Sequence, residues 1–264
     1  MSSGDVKGAE GEFAPKIKDQ ILKLYRDNWT DFQSAFNTKV AATNIESDFF
    51  LIRAWKESYN LAMRQLEEMF CDFMAIFIFG ASFFYSFRYL ISPSLGYKRS
   101  APNPSIAKRA EYMLLAAAHH GITNVGDFAA SFNEKEIDRN MEARFVLAMA
   151  DKATSLLVRD LIPLVEKYRG KAECFKDGTD HETSGKGCLV DLVPIATINS
   201  VSAIINAGWS LRLGLKSWDI AKDINDENER NKEKLRVLRD LILKSLEVYE
   251  YRKRMEKGNA TGRG

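Results

Sequence analysis

The stretch from Met69 to Ile91, MFCDFMAIFIFGASFFYSFRYLI, limits what this chain can fold into more than any other segment. Between Asp72 and Arg88 lie fifteen uncharged residues. As a helix they reach about 22 Å, against a hydrocarbon core of about 30 Å. A membrane span would have to bury Asp72, at a cost of a few kcal/mol, and snorkel Arg88 outward. A protein core asks for neither. Phe70, Phe73, Phe77, Phe84 and Phe87 recur at helical spacing, and Phe79, Phe83 and Tyr85 fill the other faces. The segment therefore reads as a core helix that is apolar nearly all round. Gly80-Ala81-Ser82 marks the place where a neighbouring helix approaches closely.

The rest of the chain also carries helical spacing. Pro15 suits the first turn of a helix with Ile17, Ile21, Leu22, Leu24 and Tyr25 on one face. A second segment holds Phe32 and Phe36 four apart, and a third, from about Ile45, places Phe49, Ile52, Trp55, Tyr59, Ala62, Met63 and Leu66 at steps of three and four before it enters the phenylalanine run. Residues 92–104, SPSLGYKRSAPNP, form a loop, after which Asn103 is the expected N-cap and Pro104 the first helical position, with Gly121 as a left-handed stop. Asn133 is the expected cap of a long helix whose face runs Ile137, Met141, Phe145, Met149, Ala153, Leu156, Leu157, Leu161, Leu164 and Tyr168, with a kink at Pro163. No strand pattern and no repeat interrupts this. The expectation is an all-α fold of about eight to ten helices with flexible termini.

Organisation follows the loops. Residues 1–14 read as a flexible tail, 15–91 as an N-terminal helical lobe, 105–257 as a C-terminal helical lobe with a polar loop over 171–187, and 258–264 as a second tail. The first residues, MSSGDVKGAEGEF, lack the basic start and apolar core of a signal peptide, and an odd count of three cysteines gives no disulfide framework. Both point to a reducing cytoplasmic or nuclear compartment.

Candidate chemistry is sparse. Cys174, His181 and Cys188 are evenly spaced with six residues between neighbours, without the close ligand pairs of a structural zinc site. SGKG at 184–187 lacks the spacing of a phosphate loop. His119 and His120 are adjacent and so diverge by about 100° on a helix, which argues against a shared ligand. Asn225, Glu229 and Glu233 align on one helical face, but no aspartate-rich partner exists to complete a diphosphate clamp, so Glu229 with Lys232 and Glu233 with Arg236 are expected as surface pairs. The expectation is no catalytic site, no metal and no cofactor.

The basic residues suggest a different use. Lys98, Arg99, Lys108 and Arg109 flank the first loop with Tyr97 and Tyr112 nearby, and Arg139 and Arg144 follow on the long helix. Positive charges spaced along a path, with rings on which bases stack, suit a single-stranded phosphate backbone. These eight residues are the candidate nucleic-acid site. The leading expectation is a non-enzymatic RNA-binding and assembly protein that self-associates through helical arms. In size and class it is similar to the helical nucleocapsid proteins of some RNA viruses, although it carries no motif of such a family. The competing expectation is a membrane-associated helical protein inserted through residues 69–91, with Trp209 and Trp218 at the interface.

Overall fold

The computed structural model describes residues 3–91, 99, 103–122, 125–132, 139–169, 182–198 and 200–261. The fold is all-α, and no strand occurs among the described residues. The helices are α1 (Ser3–Asp27), α2 (Trp29–Phe36), α3 (Phe49–Phe79), α4 (Ala81–Ile91), α5 (Ile106–His119), α6 (Met141–Leu157), α7 (Leu161–Arg169), α8 (Glu182–Val190), α9 (Val201–Leu213) and α10 (Glu227–Thr261).

Two compact units share these elements. One comprises Met1–Met74 with Arg88–Tyr168, the other Ala75–Phe87 with Arg169–Gly264. The units thus interleave in sequence, where the spacing of loops suggests consecutive lobes. The reason lies in the apolar run, whose middle is held by residues of α9.

In the first unit, α1, α3 and α6 are joined by a buried polar pin. The Tyr25 hydroxyl lies 2.9 Å from the Ala54 carbonyl and 2.8 Å from Ser58 Oγ, and Ser58 Oγ donates to the Val146 carbonyl at 2.9 Å. Burial pushes the Tyr25 hydroxyl well above its ordinary value, which keeps it a donor. Around it, Phe32 packs on Trp29, Phe36, Tyr25 and Phe145 with ring centroids 4.5–5.7 Å apart, each pair adding about 0.5–1.5 kcal/mol beyond area burial.

In the second unit, Leu189, Ile195, Ile198, Ile204, Ala207, Leu211, Trp218, Leu238 and Tyr249 form the core. Gly208 lets α9 and α10 meet, since an added Cβ there would fall within contact distance of Ile242 Cδ1. Ser245 Oγ accepts the Ile195 amide and donates to the Leu241 carbonyl, which ties the strand-like approach to α9 onto α10.

One side of the phenylalanine run is core, while Phe79, Phe83 and Tyr85 are half-buried and Tyr89 and Leu90 at its end are exposed. Phe73 and Phe84 are fully buried, Phe77 and Phe87 nearly so. Gly80, at φ +59°, breaks it into the end of α3 and the whole of α4. Among the described residues no helix is long and apolar enough to cross a membrane. Trp218 is buried and donates to the Val190 carbonyl, while Trp209 lies beside Tyr85 and under Arg212, so both rings pack in protein.

Several boundaries differ from those the sequence predicts. Helix α1 begins at Ser3, upstream of Pro15, and Phe13 is buried; apolar contact on the far side of the proline offsets the one backbone bond it removes. Ser105, not Asn103, caps α5, its side chain accepting from the Lys108 amide. The expected cap Asn133 lies outside the described residues, and α6 starts later, with Asn140 accepting from the Ala143 amide. Met141 is consequently on the first turn and exposed. The break before α7 is a 3₁₀ turn at Val158–Asp160, ahead of Pro163, because the proline cannot return a bond to Arg159. Helix α8 occupies the last part of the segment expected as loop, anchored by Gly185, which packs against Ala207, Ile195 and Ile198. Helix α10 continues past Lys257 to Thr261.

Candidate functional site

Gln65, Glu68 and Asp72 stand on one face of α3 at offsets of three and four, and Asp151 and Thr154 do the same on α6. The candidate basic residues meet these acids. Arg99 grips Asp151 with both terminal nitrogens, at 2.5 and 2.7 Å, and also donates to the Asn103 carbonyl. Gln65 Nε2 donates to the same carboxylate at 2.9 Å, and Gln65 Oε1 accepts from Thr154 Oγ1 at 2.8 Å. Arg139 donates to the Arg99 carbonyl at 3.2 Å. Two turns along α3, Arg109 grips Asp72 at 2.5 and 2.8 Å and reaches Glu68 at 3.1 Å.

Arg109 is thus held on α3, Arg99 on Asp151 of α6, which Gln65 of α3 also holds, and Arg139 on the Arg99 backbone. Bidentate geometry makes the two ion pairs strong and directional. Neither guanidinium is open to solvent: the Arg99 and Arg109 side chains are 14% and 17% exposed. Arg109 is held protonated by Asp72, against the opposing effect of its own burial. These two arginines tie residue 99 to α6 and α5 to α3.

The other candidate residues divide. Lys108 is exposed on the first turn of α5 and pairs with Glu111 at 2.7 Å. Arg144 is exposed on the first turn of α6, and Tyr112 is half-buried on α5. Tyr97 and Lys98 lie outside the described residues, as do Cys174 and His181. SGKG lies inside α8. The acidic ladder on α10 behaves as surface pairs, Lys232 with Glu229 and Arg236 with Glu233. Its neighbour Lys234 is buried, however, and donates to the Leu215 and Lys216 carbonyls. The wholly polar sequence around it hides that role.

The histidines are a second cluster, and here the helical-wheel argument fails. His119 is the last residue of α5, whereas His120 is its C-cap, at φ −99° and ψ 11°. Outside the helix the 100° rule no longer applies, and both rings turn toward Glu166 of α7. His119 Nε2 lies 3.1 Å from Glu166 Oε1 and His120 Nε2 3.9 Å from it.

No family model matches the chain, and neither a curated protein nor a solved structure matches it.

Proposed function

We propose that this chain is a non-enzymatic RNA-binding and assembly protein, nucleocapsid- or coat-like in its mode of action. It holds single-stranded phosphate backbone by charge and associates with copies of itself. The observation that supports this reading is the meeting of two basic segments far apart in sequence: Arg139 donates to the backbone carbonyl of Arg99, whose side chain is held by Asp151. The roles differ from residue to residue. Arg99 and Arg109 are held with little solvent exposure on Asp151 and Asp72 and act as positioning residues, while Lys108, whose pair with Glu111 is at the surface, Arg139 and Arg144 are the phosphate contacts. Exposed Leu243, Tyr251 and Met255 on α10 and Leu213 on α9 supply apolar surface for self-association.

The test follows from that division. Nuclease-treated protein is titrated onto a fluorescent single-stranded RNA over a range of salt. Affinity should fall steeply as salt rises, and Lys108→Ala with Arg144→Ala should flatten the logarithmic salt slope by about 1.4, at about 0.7 for each lost contact. Both side chains are exposed, so the fold should persist, as a thermal melt would verify. Absence of binding at low salt, or an unaltered slope in the double variant, overturns the reading. Sedimentation with and without nuclease separates association through RNA from association through protein.

A further inference from the structure

We propose that His119, His120 and Glu166 bind a divalent transition-metal ion of the zinc class, clamping the C-terminal end of α5 to α7. The proposal is independent of the RNA reading. It rests on three donors of the right kind, brought close together from two segments of one unit.

Two neutral imidazoles and a carboxylate are a set that zinc and its first-row neighbours favour. Ligands at about 2.1 Å from a tetrahedral metal are about 3.4 Å from one another. The two histidine nitrogens lie 3.1 and 3.9 Å from the Glu166 oxygen, either side of that separation, and all three ligand atoms fall within 4.8 Å of one another. To reach the tetrahedral value His120 has to close on Glu166 by about 0.5 Å and the histidine pair by at most about 1.4 Å. Their rings stand 4.9 Å apart and nearly perpendicular, at 70°, so each offers its nitrogen along a different edge.

Accessibility is graded usefully. The His120 side chain is 14% exposed and serves as the fixed ligand, whereas His119 and Glu166, at 49% and 47%, are free to adjust around an ion. The turn that makes this possible is built by the sequence. Gly121 adopts φ +67°, and the Ile122 amide returns to the Ala117 carbonyl at 3.0 Å, which closes the helix one residue before His120 would have continued it. Three protein ligands leave a fourth position for water or for an incoming donor.

The alternative is a surface ion pair between a protonated histidine and Glu166. The two differ in metal stoichiometry. Chelator-stripped full-length protein is titrated with Zn²⁺ in competition with a chromogenic indicator, and with Co²⁺ for its visible spectrum. Cys174, His181 and Cys188 are also metal-binding side chains, so a Cys174→Ser, Cys188→Ser variant is measured in parallel. The expected result is one equivalent bound in both proteins, a Co²⁺ spectrum without thiolate charge transfer, and a higher melting temperature with Zn²⁺. His119→Gln and Glu166→Gln should each lose at least the roughly tenfold in affinity that even an outer-sphere partner contributes. Both are half-exposed, so their metal-free melts should match the parent. Unchanged affinity in these two variants, or binding abolished by the cysteine substitutions alone, overturns the proposal.

Discussion

Burial raises the Asp72 carboxyl above the ordinary aspartate value, and Arg109 offsets this only in part. The pair is therefore a costly one, kept by geometry. Removing Arg109 alone leaves a carboxylate inside the apolar run, and Arg109→Met should destabilise the protein by about 3–5 kcal/mol near neutral pH. Replacing both partners, Asp72→Leu with Arg109→Met, should be neutral or stabilising, since Glu68 is half-exposed and turns to water. The sign of the pH dependence follows from the raised value. A carboxyl whose folded pKa exceeds its unfolded pKa of about 3.9 contributes stability below that pH and loses it as pH rises through the folded value. Arg109→Met raises the folded value further, so urea melts should place this variant nearest the wild type at about pH 4 and furthest at about pH 7. A constant gap across that range would mean that Arg109 acts through packing of its stem and not through charge. Much at this scale was not legible in the sequence. Arg109 and Arg99 read as solvent-facing because nothing local distinguishes them from Lys108; what decides is an acid 37 residues away in one case and 52 in the other. The expectation that a protein core leaves Asp72 outside is overturned, since the carboxylate is buried and Arg109 makes that burial possible.

One amide organises the break between α3 and α4. Asn206, on α9, donates to the Phe79 carbonyl at 2.7 Å and accepts the Ser82 amide at 2.9 Å, so a single side chain closes the C-terminal end of one helix and the N-terminal end of the next. Gly80 between them has φ +59°, and a Cβ placed there would lie 3.8 Å from Asn206 Nδ2. Space is therefore adequate and conformation is the obstacle. Gly80→Ala should cost about 1–2 kcal/mol, the penalty of an L-residue in the left-handed region. Asn206→Ala should cost more, about 1–3 kcal/mol, since it leaves the Ser82 amide without its partner, whereas the Phe79 carbonyl keeps Ser82 Oγ at 2.7 Å. Chemical denaturation of the two variants ranks them, and the reverse order would mean that water replaces the amide. The sequence did disclose Gly80-Ala81-Ser82 as a point of close approach and Gly121 as a helix stop, because glycine states a backbone requirement wherever it stands. Caps were harder to read. Asn103-Pro104 looks like a better start than Ser105, and the choice between adjacent polar residues is made by where the apolar face of α5 has to point, with Ala110, Met113, Ala116 and Ala117 buried.

At the scale of the molecule, the all-α class was written in the spacing of apolar residues, which is a local property. The division into two interleaved units was not. It depends on residues 75–87 belonging with helices more than a hundred positions later, and periodicity contains no information about which helix covers which. That pairing has a consequence for how the second unit folds. Its C-terminal helices share a core of their own around Ile204, Trp218 and Leu238. Without residues 75–87, however, Asn206 loses the Phe79 carbonyl and Ser82 amide, and Trp209 loses the Tyr85 ring that lies 5.9 Å from it. A fragment of residues 169–264 should accordingly be helical by circular dichroism but melt over a broad range, as a unit with an unfilled groove does. Adding a peptide of residues 75–91 should bind that fragment, sharpen the transition and raise its midpoint, and Asn206→Ala in the fragment should abolish the gain. A sharp melt of the fragment alone, indifferent to the peptide, would show that the C-terminal helices are complete without the phenylalanine segment, and that the apolar run belongs to the first unit throughout its length.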